Sequence, residues 1–368
     1  MDQDIMFCRT PEGVTLAWAR SGHGPPLVKA ANWLSHLEHD WQSPVWRPLL
    51  ERLGRQHTVV RYDERGCGLS DREVDDLSFE AWVEDLEAVV DAAGLERFPL
   101  LGVSQGGPIA IAYASRHPER VSHLVLYGTY LRGRLRRDPT PSDREEAQTL
   151  VRLVRVGWGK DSDAYHRVFA SLFWPEATLE QMKAFAELQR VSASPETAAR
   201  IVEGFDRVDV TDLAPGVHVP ALVLHVEGDA RIPFEEGRRV AATLPDAAFV
   251  PLPGTNHVLT LEDPAFGQFL HRVEAFLGMD GGLATATRAQ GIRGTGPRGL
   301  DELTPRQKDV LELMARGMDN ASIARHLSIA PKTVRNHVSS VFAKLGVGHR
   351  GEAVVRAREL GFGKDPGR

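Results

Sequence analysis

A serine between glycines, in the run Gly102-Val103-Ser104-Gln105-Gly106, is the first place in this 368-residue chain where residue type and spacing suggest chemistry. A serine hydroxyl is a weak nucleophile. It needs a general base beside it and an acid that orients the base. Small residues at 102 and 106 tolerate the crowded backbone of a sharp strand-to-helix turn, which lifts Ser104 above a sheet edge. The Gln105 N–H, at the start of the helix, then faces the oxyanion that forms when a carbonyl is attacked. Two later segments complete the set in the order serine, acid, histidine. ALVLHVEGDARIP puts Asp229 just after an apolar run, and PLPGTNHVLTLEDP puts His257 in a Gly/Asn-rich loop after the next one. Glu227 and Asp263 are rival acids, the first still close to strand register and the second beyond the histidine. His271 reads as a surface helix residue. The chemistry expected is attack of Ser104 on a carbonyl, with His257 taking the proton and Asp229 holding the imidazolium.

A second chemistry is written at the other end. Pro305 fits the first turn of a helix ending before Gly317, Asp319-Asn320 can cap a second through His326, and Pro331 opens a third. On that third helix Val334, Val338, Val341, Phe342 and Leu345 share one face, while Lys332, Arg335, Asn336 and Ser339 lie on another. One apolar stripe and one cationic, amide-bearing stripe are what major-groove readout needs, since Arg bonds guanine bidentately and Asn bonds adenine.

The elements that must position the serine alternate. Short β-rich runs recur at Val14–Ala17, Leu27–Ala31, Thr58–Tyr62, Pro99–Val103, Val121–Tyr127, Ala221–Val226 and Ala248–Leu252, with helical stretches such as Phe79–Ala93 between them. This alternation predicts a parallel sheet covered on both faces, with ligands bound outside the carboxyl ends of its strands. Residues 129–215 break the pattern with amphipathic helices over Glu145–Val156, Tyr165–Phe173, Leu179–Ser192 and Pro195–Phe205. The basic run LRGRLRRD at their start could attract an anionic ligand, but reads first as a solvated helix face. His36 and His39, in SHLEHD, have neither of the spacings of a zinc helix.

Composition frames these modules. The chain is 42% apolar and 26% charged, which excludes intrinsic disorder for most of its length, and two cysteines exclude a disulfide framework. The first residues hold no basic region followed by an apolar core, and no run reaches the ~18–20 apolar residues of a bilayer span, so a cytoplasmic protein without a membrane role is expected. Net charge is −6, yet residues 300–368 hold 12 Lys/Arg against 8 Asp/Glu. A basic tail on an acidic body points to nucleic acid. Residues 279–299 hold six glycines and almost no large apolar residue, which predicts a flexible tether between residues 1–278 and 300–368.

The segments GVSQGG, HVEGDARIP and GTNHVLTLEDP, with RYDERGCGLSD, resemble the α/β-hydrolase fold over about residues 5–278. The resemblance implies that the insertion at 129–215 is a cap that closes the pocket. In that family the turn after the early strand usually reads His-Gly and the next residue donates a second oxyanion N–H. Here Ala31-Asn32 stands in that place and Trp33 takes the donor position. Trp33 is a candidate pocket wall, whereas Trp41 and Trp46 read as core residues.

The tail closely resembles the LuxR/GerE-type helix-turn-helix. The resemblance makes Pro331–Leu345 the recognition helix, sets Arg335, Asn336 and Ser339 toward bases, and puts Lys332 and Thr333 near phosphate. It implies a final helix, about Arg350–Leu360, that supports a homodimer on double-stranded DNA. The family commonly has a capping Ser or Thr where this chain has Ala330.

Two functions follow as expectations. One is a one-component transcription regulator whose hydrolase-fold domain senses a small carbonyl compound such as an ester or lactone. The other is a serine hydrolase with an accessory DNA-binding tail. Neither calls for a cofactor or a metal.

Overall fold

The structure, a computed structural model, describes residues 2–33, 35–158, 160, 162–278, 303–316, 318 and 320–327, and beyond these only 333, 334, 337, 338, 341, 353, 357 and 362. The backbone divides into two units, Met1–Gly282 and Leu283–Arg368. The tether expected at 279–299 lies outside the described residues.

Among the described residues, the first unit is built on eight strands: β1 (Gln3–Arg9), β2 (Thr15–Gly22), β3 (Pro26–Lys29), β4 (Thr58–Tyr62), β5 (Phe98–Val103), β6 (Val121–Tyr127), β7 (Ala221–Val226) and β8 (Ala247–Leu252). They form one sheet in the order β1-β2-β4-β3-β5-β6-β7-β8. β1 pairs antiparallel with β2 and β2 antiparallel with β4, while every later pairing is parallel. Strand order reverses between β3 and β5, so the loops after these two strands leave a crevice between them.

Successive side chains of the central strands enter two different cores. Val28, Leu100, Leu124, Leu126 and Val223 pack on one face with α3 (Phe79–Ala92) and α4 (Gly106–Arg116), which follow α1 (Leu37–Gln42) and α2 (Trp46–Leu53) in the chain. Leu101, Val103, Val125, Tyr127, Leu222 and Leu224 pack on the other. There they meet Leu49, Leu50 and Leu53 of a helix at Trp46–Leu53, and Phe266, Phe269 and Val273 of a helix at Pro264–Leu277. A period of two with both faces covered is the reason these strands read as continuous apolar runs.

Among the described residues, four α-helices stand between β6 and β7: α5 (Pro141–Gly157), α6 (Asp163–Ser171), α7 (Leu179–Ser192) and α8 (Pro195–Phe205). α5 begins four residues before the expected Glu145, because Thr140 and Asp143 close a capping box ahead of Pro141. Thr178 with Gln181 caps α7 in the same way, and the Ser194 side chain caps α8.

The second unit holds a helix at Pro305–Ala315, whose Thr304 and Gln307 make a capping box, and another at Asn320–His326. Thr333, Val334, His337, Val338 and Val341 are helical, and the three valines are buried. Val334 and Val338 pack with Val310, Met314 and Ile323, and Val341 with Leu311 and Ala315. Among the described residues, no helix is long and apolar enough to cross a membrane.

Candidate functional site

β5 ends at Val103, α4 begins at Gly106, and the turn between them holds Ser104 at φ +52°, in the left-handed region that L side chains rarely adopt. The turn is tied from both sides. Ser104 N–H donates to the Tyr127 carbonyl at 2.9 Å, and the Ser104 carbonyl accepts from Thr129 Oγ1 at 2.7 Å. Glycine is required around it. A Cβ at 102 would lie 2.8 Å from the Gly106 carbonyl oxygen, and one at 106 would lie 2.7 Å from the Ala31 carbonyl oxygen. The loop after β3 and the turn after β5 therefore meet backbone to backbone.

Asp229 and His257 come from the loops after β7 and β8. Asp229 Oδ1 accepts the N–H groups of Arg231 and Ile232 at 2.8 and 2.9 Å, which leaves Oδ2 for His257 Nδ1 at 2.8 Å. Burial alone would raise the Asp229 carboxyl. The imidazole beside it and the backbone donors outweigh burial and hold it below the ordinary carboxylate range. With Nδ1 so engaged, His257 Nε2 has no hydrogen-bond partner among the described residues, and His257 and Ser104 line the same cavity. Gly128, at φ +55° directly after β6, leaves space for the ring, since a Cβ there would stand 3.0 Å from His257 Cε1. Tyr127 Oη donates to the His257 carbonyl at 2.9 Å. The helical insertion also holds this loop: the N–H groups of His257 and Val258 both donate to the Phe173 carbonyl, at 2.9 and 3.2 Å.

The other candidate acids sit elsewhere. Asp263 is spent on its own loop, accepting from Thr260 N–H at 2.7 Å and Asn256 Nδ2 at 2.8 Å. Glu227 is exposed. His225 approaches Asp229 Oδ2 at 3.6 Å, but its Nε2 lies 3.0 Å from the Ile232 carbonyl and burial pushes its pKa down. His36 uses Nδ1 to accept from the His39 N–H, as a helix cap.

The oxyanion candidates Gln105 and Trp33 both line the cavity with Ser104. Among the described residues, neither backbone N–H finds an acceptor. The Asn32 side chain fixes the loop between them and β3, accepting from Lys29 Nζ and donating to the Trp33 carbonyl. Gln105 is anchored through its side chain, with Nε2 donating to Glu64 Oε2 at 3.2 Å. The Trp33 ring packs 5.0 Å from Phe173 and 5.4 Å from Trp158, centroid to centroid.

The cavity has a volume of about 100 Å³. Its wall differs from the sequence expectation at two places. Trp46, expected as a core residue, does pack against the core but also faces the cavity, with Lys29 Nζ 4.9 Å from a ring centroid. Trp41 packs against the core as expected. The run LRGRLRRD is not simply a solvated face. Arg134 and Arg137 line the cavity, because Asp206 and Tyr130 draw their guanidinium groups inward. Arg231, Tyr130, Phe173 and Phe205 are wall residues that carried no signal in the sequence beyond their types.

In the second unit Thr333 is exposed, opposite in character to the buried Val334. Lys332, Arg335, Asn336 and Ser339, together with Ala330, lie outside the described residues.

Comparison with known proteins matches residues 38–264 to the family described as alpha/beta hydrolase fold, and residues 301–357 to the family described as GerE, bacterial regulatory proteins of the luxR family. A pyrrolizixenacetamide deacetylase of Xenorhabdus hominickii is 27% identical over 274 residues, covering 71% of this chain and 94% of that protein. A Mycobacterium bovis protein named as an HTH-type transcriptional regulator is 39% identical over 87 residues, 24% of this chain and 10% of that one. Among solved structures, an esterase from Exiguobacterium antarcticum superposes with a TM-score of 0.63 at 22% identity, covering 74% of this chain and 98% of its own. The chain belongs to the α/β-hydrolase fold family and carries a LuxR-type helix-turn-helix domain at its C-terminal end.

Proposed function

We propose that the chain is a one-component DNA-binding transcription regulator whose hydrolase-fold domain binds a small carbonyl compound. The observation that carries the reading is the joining, in one chain, of a luxR-family segment at 301–357 to a hydrolase-fold domain with a cavity beside Ser104. Lys332 and Thr333 contact phosphate, while Arg335, Asn336 and Ser339 read base edges in the major groove. The protein acts as a homodimer in the cytoplasm on a two-fold related site. Ligand in the cavity shifts the balance between two arrangements of the DNA-binding units, through its different affinity for each.

The test is binding of the full chain to DNA from its own promoter region, at low salt, with and without candidate esters and lactones. Retarded bands that change with ligand are expected. Failure to bind any such fragment under either condition would overturn the regulator.

A second reading, a working serine hydrolase, is favoured by the Asp229–His257 bond at 2.8 Å together with the unpartnered His257 Nε2. In this reading Ser104 Oγ attacks the carbonyl carbon as His257 Nε2 takes its proton. The N–H groups of Gln105 and Trp33 hold the oxyanion, and protonated His257 returns the proton to the leaving group. Water then repeats the sequence on the acyl-enzyme. A fluorophosphonate probe should label the wild-type chain and not Ser104→Ala. If Ser104→Ala keeps ligand-dependent DNA binding, occupancy rather than turnover is the signal.

A further inference from the structure

Three guanidinium groups reach a cavity lined mostly by aromatic and aliphatic side chains, and they are not equally compensated. Arg134 pairs with Asp206 at 2.9 Å. Arg137 lies 3.7 Å from Glu236, and its Nε donates to the Arg132 carbonyl at 2.7 Å. Arg231 is different. Its backbone N–H serves Asp229, but among the described residues its guanidinium has no hydrogen-bond or ion-pair partner. Instead it lies against two aromatic rings, with Cζ 5.2 Å from the Phe173 centroid and 6.0 Å from that of Phe205. Among the cavity's own lining residues, Asp206 is the one carboxylate facing these three cations.

Arg231 is half-buried and feels the Asp206 carboxylate without bonding it, so its guanidinium keeps donors left over for a ligand. The two aromatic rings against it restrict its movement, and Arg231 lines the cavity that a ligand would share. A planar carboxylate fits that fork with two parallel bonds. Position sets the rest of the ligand. Phe173 lies 6.1 Å from the His257 ring and 5.2 Å from Arg231 Cζ, so the cation and the imidazole border the same phenyl ring.

We propose that the cavity takes a short acyl compound with a carboxylate at one end, held by Arg231, and its ester, lactone or similar carbonyl beside Ser104. The proposal rests on the reading of this cavity as the ligand site and gives the ligand its chemical class. Arg134 and Arg137 add a positive field around the anion, while the rings of Trp33, Phe173 and Phe205 cover the chain between its ends.

The probes are monomethyl adipate and monomethyl suberate against the uncharged dimethyl adipate and dimethyl suberate. Binding to the full-length Ser104→Ala chain is followed by calorimetry, so that none of the four is consumed. The expected result is roughly 10–100-fold tighter binding of the monoesters, the worth of one charge-assisted pair. In the Ser104→Ala, Arg231→Gln chain the ratio should collapse, and Arg231→Lys should recover part of it. Equal affinities for mono- and diesters overturn the proposal, as does a monoester preference that survives Arg231→Gln, or the absence of monoester binding in the parent chain. The parent comparison stands even if a variant fails to fold. A chain labelled on Ser104 by a fluorophosphonate yet indifferent to the carboxylate keeps the hydrolase reading and loses this one.

Discussion

Glu64 is fully enclosed where the elbow helix starts, accepting from Gln105 Nε2 at 3.2 Å, with Cys67 Sγ 3.8 Å from its other oxygen. Burial, and then the nearby Asp85 carboxylate, push its pKa up to about 8 from 4.5, although the Gln105 bond opposes the shift. The folded chain thus keeps a proton that the unfolded chain releases. The stability this contributes is full below the unfolded value and is lost as pH rises through about 8. The melting temperature should fall between pH 6 and pH 9, and Glu64→Gln, which cannot ionise, should fall less over the same interval. Parallel melting curves against pH for the two proteins would show that Glu64 does not titrate in this window. Asp40, raised to about 7, acts in both proteins and cancels from the comparison, while Asp85, raised to about 6 and interacting with Glu64, titrates at the lower edge of the interval. Glu64 was not singled out in the sequence, unlike Ser104, Asp229 and His257. Acyl chemistry fixes the types of those three and the α/β-hydrolase fold their chain order, so a linear reading can single them out. No comparable rule says which acid will be enclosed, or that the Arg231 stem turns into a cavity. Those outcomes are set by packing between segments distant in sequence, as Phe173 and Phe205 are from Arg231.

At the scale of elements, the turn from β5 to α4 works because three glycines let other chains pass close. Gly107 is the tightest, for a Cβ there would stand 1.9 Å from Thr129 Oγ1, the hydroxyl that bonds the Ser104 carbonyl. Gly107→Ala must displace that hydroxyl or the helix start. A loss of about 1–3 kcal/mol is expected from urea unfolding, as for other overpacked sites. Fluorophosphonate labelling of Ser104 should slow at the same time. Unchanged stability with unchanged labelling would mean that the turn relaxes freely. Elements with hard punctuation were legible to the residue. Thr58–Tyr62, Val121–Tyr127, Ala221–Val226, Leu179–Ser192 and Pro195–Phe205 coincide with β4, β6, β7, α7 and α8. β1 was missed for a physical reason. Its apolar run, Ile5–Cys8, is short and holds a single β-branched residue, on an edge strand whose side chains are half-buried or exposed. The Phe173 carbonyl that holds the His257 loop was equally hidden, because a backbone acceptor leaves no mark on residue type.

For the whole molecule, charge separates what each part can do. The chain is acidic overall, with ten more Asp/Glu than Lys/Arg before residue 300 and an excess of four cations after it. DNA affinity must therefore come from the C-terminal unit, against repulsion from the acidic remainder that salt would screen. This argues for contacts of two kinds that can be separated by measurement. Lys332→Ala should weaken binding to specific and random duplexes alike and lower the salt slope by about 1. Arg335→Ala should cost about 1–3 kcal/mol on the specific duplex, with a much smaller loss on random DNA. Fluorescence anisotropy at several salt concentrations reads both quantities. Val334→Asp is the control for folding, because Val334 is fully buried against Val310 and Met314, and a charge there should unfold the unit and abolish both modes. If Arg335→Ala and Lys332→Ala lose affinity equally on every duplex, Arg335 serves phosphate rather than bases. The assignment of Pro331–Leu345 as the reading helix then fails, while the buried valine stripe that seats it stays as it is.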